Sequence, residues 1–211
     1  MIGVLFMIRR GNFKRLFAYS SVEHMGIIAV ALGFGGVLGL YGALLHTLNH
    51  AIAKAVLFLS SGDVALRYRT REAAGVRGLL AAVPLTGGAL LLGSFAVLGS
   101  PPFGLFLSEF TIVRAGFAAA SPALPLLLLL LLAVAFIAFA RTTTGMATGE
   151  PVPLPPSGSA SSGPPGPYPG CQAARLTATA PAAAGLAALL VLGLWIPAGL
   201  STAITHSIGV L

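Results

Sequence analysis

The chain has 211 residues, of which 56% are apolar and 8% charged, about a third of the roughly 25% charge of a soluble domain. With a mean hydropathy of +0.94, that excludes an ordinary soluble domain, and the apolar content excludes a wholly disordered chain. The net charge is +7, from 12 Lys and Arg against 5 Asp and Glu, but the basic residues sit between apolar runs, where they set topology, so nucleic acid is not the partner they indicate. The class that remains is an all-α integral membrane protein whose solvent is the lipid bilayer. At about 20 residues per span, this length allows about five to six transmembrane helices.

In chain order, an apolar stretch from Met1 to Ile8 is too short to cross a bilayer and leads into Arg9, Arg10, Lys14 and Arg15. This order is the reverse of a signal peptide, and it suggests a chain that begins at the end of a helix, as a half of something longer. A first span is expected over about Leu16 to Leu40, ending near Gly33, Gly35 and Gly36. A second, about Tyr41 to Leu59, carries His46, Asn49, His50 and Lys54. Asp63 then falls in a loop with Arg67, Arg69, Arg71 and Arg77. Two spans separate the two basic clusters, so both lie on one side, the cytoplasmic one by the positive-inside rule.

A third apolar stretch, Leu79 to Leu98, meets Gly99-Ser100-Pro101-Pro102-Phe103-Gly104, which a regular helix cannot traverse. Apolar sequence resumes to Ala120 with Glu109 and Arg114 inside it. Two readings are open: a helix broken at membrane depth, or a short external loop between two ordinary spans. Pro122 to Ala140 is nearly pure Leu and Ala and is expected to face lipid. Eight of the 15 prolines lie between Pro151 and Pro169, with Gly and Ser, the composition of an extended linker. A last span is expected over about Pro181 to Leu200, with Trp195 as an interfacial anchor. The resulting division is 1–141 as the main transmembrane module, 142–179 as the linker and 180–211 as a terminal helix and tail. The single Cys171 excludes an internal disulfide and a cysteine metal cage.

Ionisable groups within a span cost roughly 2.5 kcal/mol or more each, so each needs a reason. His46, His50 and Lys54 are spaced i, i+4, i+8 and stack along one helix face with a drift of about 40° per step. Such a row can pass protons, directly or through water, because imidazole titrates near neutrality. Glu109 adds a carboxylate beside the helix break. The plainer readings are helix–helix hydrogen bonding for the histidines and snorkelling for Lys54. Histidines at i, i+4 also suit a metal, but no Glu or Cys stands next to them in sequence, and no metal is assigned. Glu23 and His24 form a pair that is either a proton-transfer element or a charge at the membrane boundary, and His206 reads as interfacial.

These residues carry a family resemblance. Lys14-Arg15-Leu16-Phe17-Ala18-Tyr19-Ser20-Ser21-Val22-Glu23-His24-Met25-Gly26 resembles a "KRLLAYSSxxxMG" segment of antiporter-like membrane subunits. These subunits occur in respiratory complex I, Mrp-type cation/proton antiporters and membrane-bound [NiFe] hydrogenases. His46, His50, Ala51, Lys54, Ala55 and Phe58 are similar to the family's "HxxxHAxxKAxLF" helix, and Gly99–Phe103 with Phe106–Phe110 to its "GxPPFxxFxSEF" broken helix. The likeness covers about Gly11 to Phe117, and the Glu23-His24 wording resembles the hydrogenase-4 or formate hydrogenlyase branch, component F type. It implies proton translocation coupled to a redox arm, with no redox cofactor in this chain. It implies two inverted repeats of five helices, of which this chain resembles the second. Lys54 then matches the central-axis lysine, His46 and His50 the histidines beside it, and Glu109 the ionisable residue of the second broken helix.

The first repeat has no counterpart here, and neither the Pro-rich segment nor the tail after Arg141 matches the family pattern. The expected partners are other membrane subunits of a redox complex, one of them supplying the first repeat, in the inner (cytoplasmic) membrane. Two alternatives are an Mrp-type antiporter component and a non-conducting scaffold.

Overall fold

The computed structural model describes residues 3, 11–119, 122–152 and 173–210. Arg9, Arg10, most of the Met1 to Ile8 stretch, the Pro-rich segment from Pro153 to Pro169 and Cys171 lie outside the described residues. Among those described, the regular structure is helical, with a single backbone bridge between Asn12 and Glu72.

Helix α1 runs Phe13–Phe34. Asn12 starts it: its side-chain oxygen accepts from the backbone N–H of Lys14 at 3.0 Å and of Arg15 at 3.2 Å, groups a helix start otherwise leaves unpaired. The Phe13 N–H donates to Arg71 O at 2.9 Å and the Ala73 N–H to Gly11 O at 2.8 Å. These bonds place Lys14 and Arg15 at the same end of the molecule as the Arg69–Arg71 loop. Gly35 and Gly36, both at positive φ, then turn the chain into α2, Gly36–Tyr68. Only glycine adopts two successive such residues without strain.

At 33 residues α2 is about 50 Å long, well past the expected end at Leu59. Asp63 is therefore a helical residue rather than a loop charge. It pairs with Arg67 one turn on, at 2.9 Å, and accepts from the Thr86 hydroxyl at 2.5 Å. Nothing between Leu59 and Tyr68 breaks a helix, and an i, i+4 pair supports one. The turn beyond contains a 3₁₀ segment, Ala73–Gly75.

Short α3, Leu79–Ala82, gives way at Val83 to α4, Pro84–Val97, with Pro84 in its first turn, where a missing N–H costs nothing. Helix α5 is Gly104–Ala118, α6 Ala123–Ala147, α7 Ala173–Leu194 and α8 Ala198–Val210. Helix α6 thus continues past Arg141, and α7 begins before Pro181. The interruption at 98–103 is a break, and the external-loop reading falls. With 14 and 15 residues, α4 and α5 reach only about 21–23 Å each, short of a hydrocarbon core of about 30 Å. The break is packed against protein: a side chain at Gly193 of α7 would collide with Pro102 O.

The last expected span also breaks. Helix α7 stops at Leu194, and the segments Ala180–Leu194 and Ala198–Gly209 are bent by 76°, because Pro197 cannot continue a helix and disfavours the helical conformation of the residue before it. By length and composition, α1, α2 and α6 are each able to cross a membrane, with the bent α7–α8 pair as a fourth.

Helix α2 is the hub, packed against α1, α4, α5 and α7. Of its membrane-length window 56% is buried, against 22% for α6. That contrast matches the sequences: α2 carries the polar row, while α6 presents Leu126, Leu130 and Ile137 outward, as a lipid-facing helix does. The main core joins Phe13, Phe17, Leu57, Leu79, Leu105 and Phe139, and the Phe17 and Phe139 rings stack at 5.2 Å across α1 and α6.

Candidate functional site

The buried polar side chains gather where α1, α2 and α5 meet below the helix break. Lys54 is 7% exposed. Its ammonium donates to Phe17 O at 2.8 Å and to the Ser20 hydroxyl, both on α1. It is turned into the bundle rather than drawn along the helix towards an interface. The Ser20 hydroxyl proton goes to Phe17 O at 3.0 Å, which leaves its oxygen free to accept from Lys54.

His24 enters the row from α1. Its ring centroid lies 4.6 Å from that of His50 and 5.2 Å from that of His46, closer than the two α2 histidines are to each other, at 6.3 Å. His24 Nδ1 and His46 Nε2 share a hydrogen bond of 3.0 Å, and His46 Nδ1 is 2.9 Å from the Ser108 hydroxyl of α5. The Ser108 hydroxyl also lies 2.8 Å from Leu105 O. The His24 ring also bonds the Val97 backbone carbonyl, and a neutral imidazole has one N–H, so the chain His24–His46–Ser108 has two arrangements, with Ser108 accepting from His46 or donating to it. Three side chains from three helices are thus linked in one hydrogen-bonded chain.

Glu109, one residue along α5, is buried, and its Oε1 makes no hydrogen bond to protein. Its carboxylate lies against Gly99 Cα, where a Cβ would overlap it, and Gly99 is at φ +63. On one side Glu109 borders a gap of about 10 Å³, which Ser20, Glu23 and His24 also line, close to the room one water needs. On the other it lines a cleft of about 430 Å³ with Gly99, Phe106, Phe110, Leu132 and Phe136. Glu23 is half-buried and within electrostatic reach of both Lys54 and Glu109. Of the pair left open by the sequence, His24 points inward and Glu23 lies at the edge of the gap. His206 is exposed on α8, outside this cluster.

Three participants carry no role in the sequence reading. Ser20 and Ser108 hold Lys54 and His46, and both stand inside the quoted motifs, so their spacing was visible but their partners were not. Asn49 donates to Leu45 O at 3.0 Å and across the break to Gly104 O at 3.2 Å. A Cβ at Gly104 would collide with the Asn49 amide, so α2 and the start of α5 meet only because residue 104 is glycine. Chemically the cluster is a set of proton donors and acceptors, and one nitrogen from each of His24 and His46 with one oxygen of Glu109 also forms a metal-compatible group, all within 4.8 Å of one another.

The family described as NADH:quinone oxidoreductase/Mrp antiporter, TM matches residues 1–137. This chain belongs to that family. Lys54, His50, His46, His24, Glu23 and Glu109 all fall within the matched residues. Over 124 residues the chain is 41% identical to a hydrogenase-4 component F homolog of Methylacidiphilum infernorum, a stretch that is 59% of this chain and 26% of that protein. It is 37% identical over 121 residues to hydrogenase-4 component B of Escherichia coli, 52% of this chain and 18% of that one. A chain in the structure of the Mrp complex from Dietzia sp. DQ12-45-1b superposes with a TM-score of 0.79 at 25% identity, covering 98% of this chain and 43% of its own length. The chain thus spans about a quarter or less of these two curated relatives. It is a multi-pass membrane protein of the antiporter-like kind found in complex I, Mrp and hydrogenase assemblies.

Proposed function

We propose that this chain is a proton-translocating membrane subunit of a hydrogenase-4, formate hydrogenlyase or complex I-like redox complex, with Lys54, His50, His24, His46 and Glu109 as its proton path. One observation carries the reading: groups able to bind and release protons form a buried cluster across three helices, linked at 3.0 Å and 2.9 Å, in a setting where each such group is costly to bury. Lys54 and His50 stand one turn apart on α2, His24 lies between His50 and His46, and the small gap beside Ser20, Glu23 and His24 leads to Glu109. From Glu109 the cleft leads out of the bundle. Glu23 supplies a second carboxylate at the gap. The chain itself holds no redox cofactor in this reading. Its partners are other membrane subunits, and the basic ends of α1 and α2 lie on the cytoplasmic face of the inner membrane.

The test is proton flux in liposomes holding the complex that contains this chain, wild type beside Lys54→Ala and Glu109→Gln. Flux in the wild type and its loss in both variants, with assembly unchanged, is the expected result. Undiminished flux in both would leave the scaffold reading. The likeness to a chain of an Mrp complex favours one second reading, cation/proton antiport, which predicts that the same flux depends on Na+ or K+.

A further inference from the structure

We infer that His24, His46 and Glu109 form a binding site for a divalent transition ion of the zinc class. One ring nitrogen from each histidine and one carboxylate oxygen lie within 4.8 Å of one another, and all three residues are buried. The site joins α1, α2 and α5, and no pair of its ligands is adjacent in sequence. The i, i+4 pair His46 and His50 is not the ligand pair.

Four features favour a metal. His24 Nδ1 and His46 Nε2 are 3.0 Å apart, near the roughly 3.3 Å that two ligands about 2.0–2.1 Å from a tetrahedral zinc subtend. With an ion on Nε2, the other ring nitrogen of His46 carries the proton and faces the Ser108 hydroxyl at 2.9 Å, the outer support a ligating histidine uses. Glu109 Oε1, buried and without a hydrogen bond, is a donor atom with nothing to satisfy it. The cleft beside Glu109 gives an entry path and room for a water as fourth ligand. Two nitrogens and one oxygen suit zinc and its neighbours. Magnesium and calcium, which take six or more oxygens, are poorly matched. Each imidazole keeps one ring proton when it ligates, so the proton lying between the two rings moves to the other nitrogen of its ring as the ion enters.

The experiment uses the full chain, purified in detergent and freed of metal with a chelator. It is titrated with Zn2+, with Co2+ as a coloured probe, and examined by X-ray absorption at the zinc edge. The expected result is one ion per chain and a first shell of nitrogen and oxygen with imidazole outer-shell scattering. Ser108→Ala should weaken binding by roughly 10–100-fold. His24→Gln and Glu109→Gln should weaken it by at least that much, while His206→Gln and Cys171→Ser leave it unchanged.

Sulfur in the first shell, a first shell without imidazole, loss of binding in the His206 or Cys171 variant, or undiminished binding when His24 and Glu109 are replaced together would overturn the assignment. If the ligand variants do not fold, the absorption spectrum of the wild type decides by itself. The readout is binding, so a site without flux, or flux without a site, separates this inference from the proton-path reading.

Discussion

Replacing Ser108 with alanine isolates the hydrogen bond that orients His46. The substitution removes one oxygen from the interior and leaves His46 Nδ1, now 2.9 Å from that oxygen, without that partner. An unsatisfied buried donor or acceptor costs about 1–3 kcal/mol. Ser108 also bonds back to Leu105 O in its own helix, a bond that adds little. Alanine is the better helix former by about 0.5 kcal/mol. The balance is a loss of about 1.5 kcal/mol, which for a chain of this size lowers the melting temperature by about 3–6 °C.

The assay is calorimetric melting in detergent, carried out as a double-mutant cycle. With His46→Leu already in place there is no ring nitrogen to orphan, so Ser108→Ala should then be neutral or slightly stabilising. The coupling between the two positions should be about 2 kcal/mol. Equal costs in the two backgrounds would refute the His46–Ser108 hydrogen bond, and with it the outer support of the metal site.

Gly104→Ala should lower thermal stability by about 1–3 kcal/mol of overpacking, because the new methyl meets the Asn49 amide, and Asn49→Ala should recover part of the loss in the same melt. Asn12→Ala should cost about 0.5–2 kcal/mol by uncapping α1, and hydrogen exchange should show the change at the first turn of α1, where Lys14 and Arg15 lose their acceptor. Leu130→Arg places a charge on the outward face of α6, where Leu130 is 62% exposed, at about 3 kcal/mol on insertion scales. The fraction of chain retained in carbonate-washed membranes should fall, and retention equal to wild type would argue that α6 does not meet lipid.

Much of the site was legible because its rules are local. The row of His46, His50 and Lys54 follows from the helical period alone, and the break after Leu98 follows from two prolines between glycines. The lipid-facing character of α6 is equally a matter of composition. These depend on residues a few positions apart, where covalent geometry dictates proximity. The end of α2 was misplaced because charge in Asp63 and Arg67 reads as a loop, whereas an i, i+4 pair and a neighbouring threonine let the helix carry both. The bend after Leu194 hinges on Pro197, which lay inside the expected span.

What only tertiary structure decided are contacts across sequence distance. His24 meets His46 from 22 residues away and Ser108 meets His46 from 62. Neither contact is implied by any period, since both depend on how α1 and α5 are rotated against α2. Glu23 and His24 show this most simply. Successive residues on a helix point about 100° apart, so a pair that sequence treats as one unit is divided by packing into an inward imidazole and a half-buried carboxylate. Sequence determined which helix faces hold ionisable groups, through local spacing. Which of those groups touch was decided by packing at glycines such as Gly99 and Gly104, where no side chain keeps the elements apart.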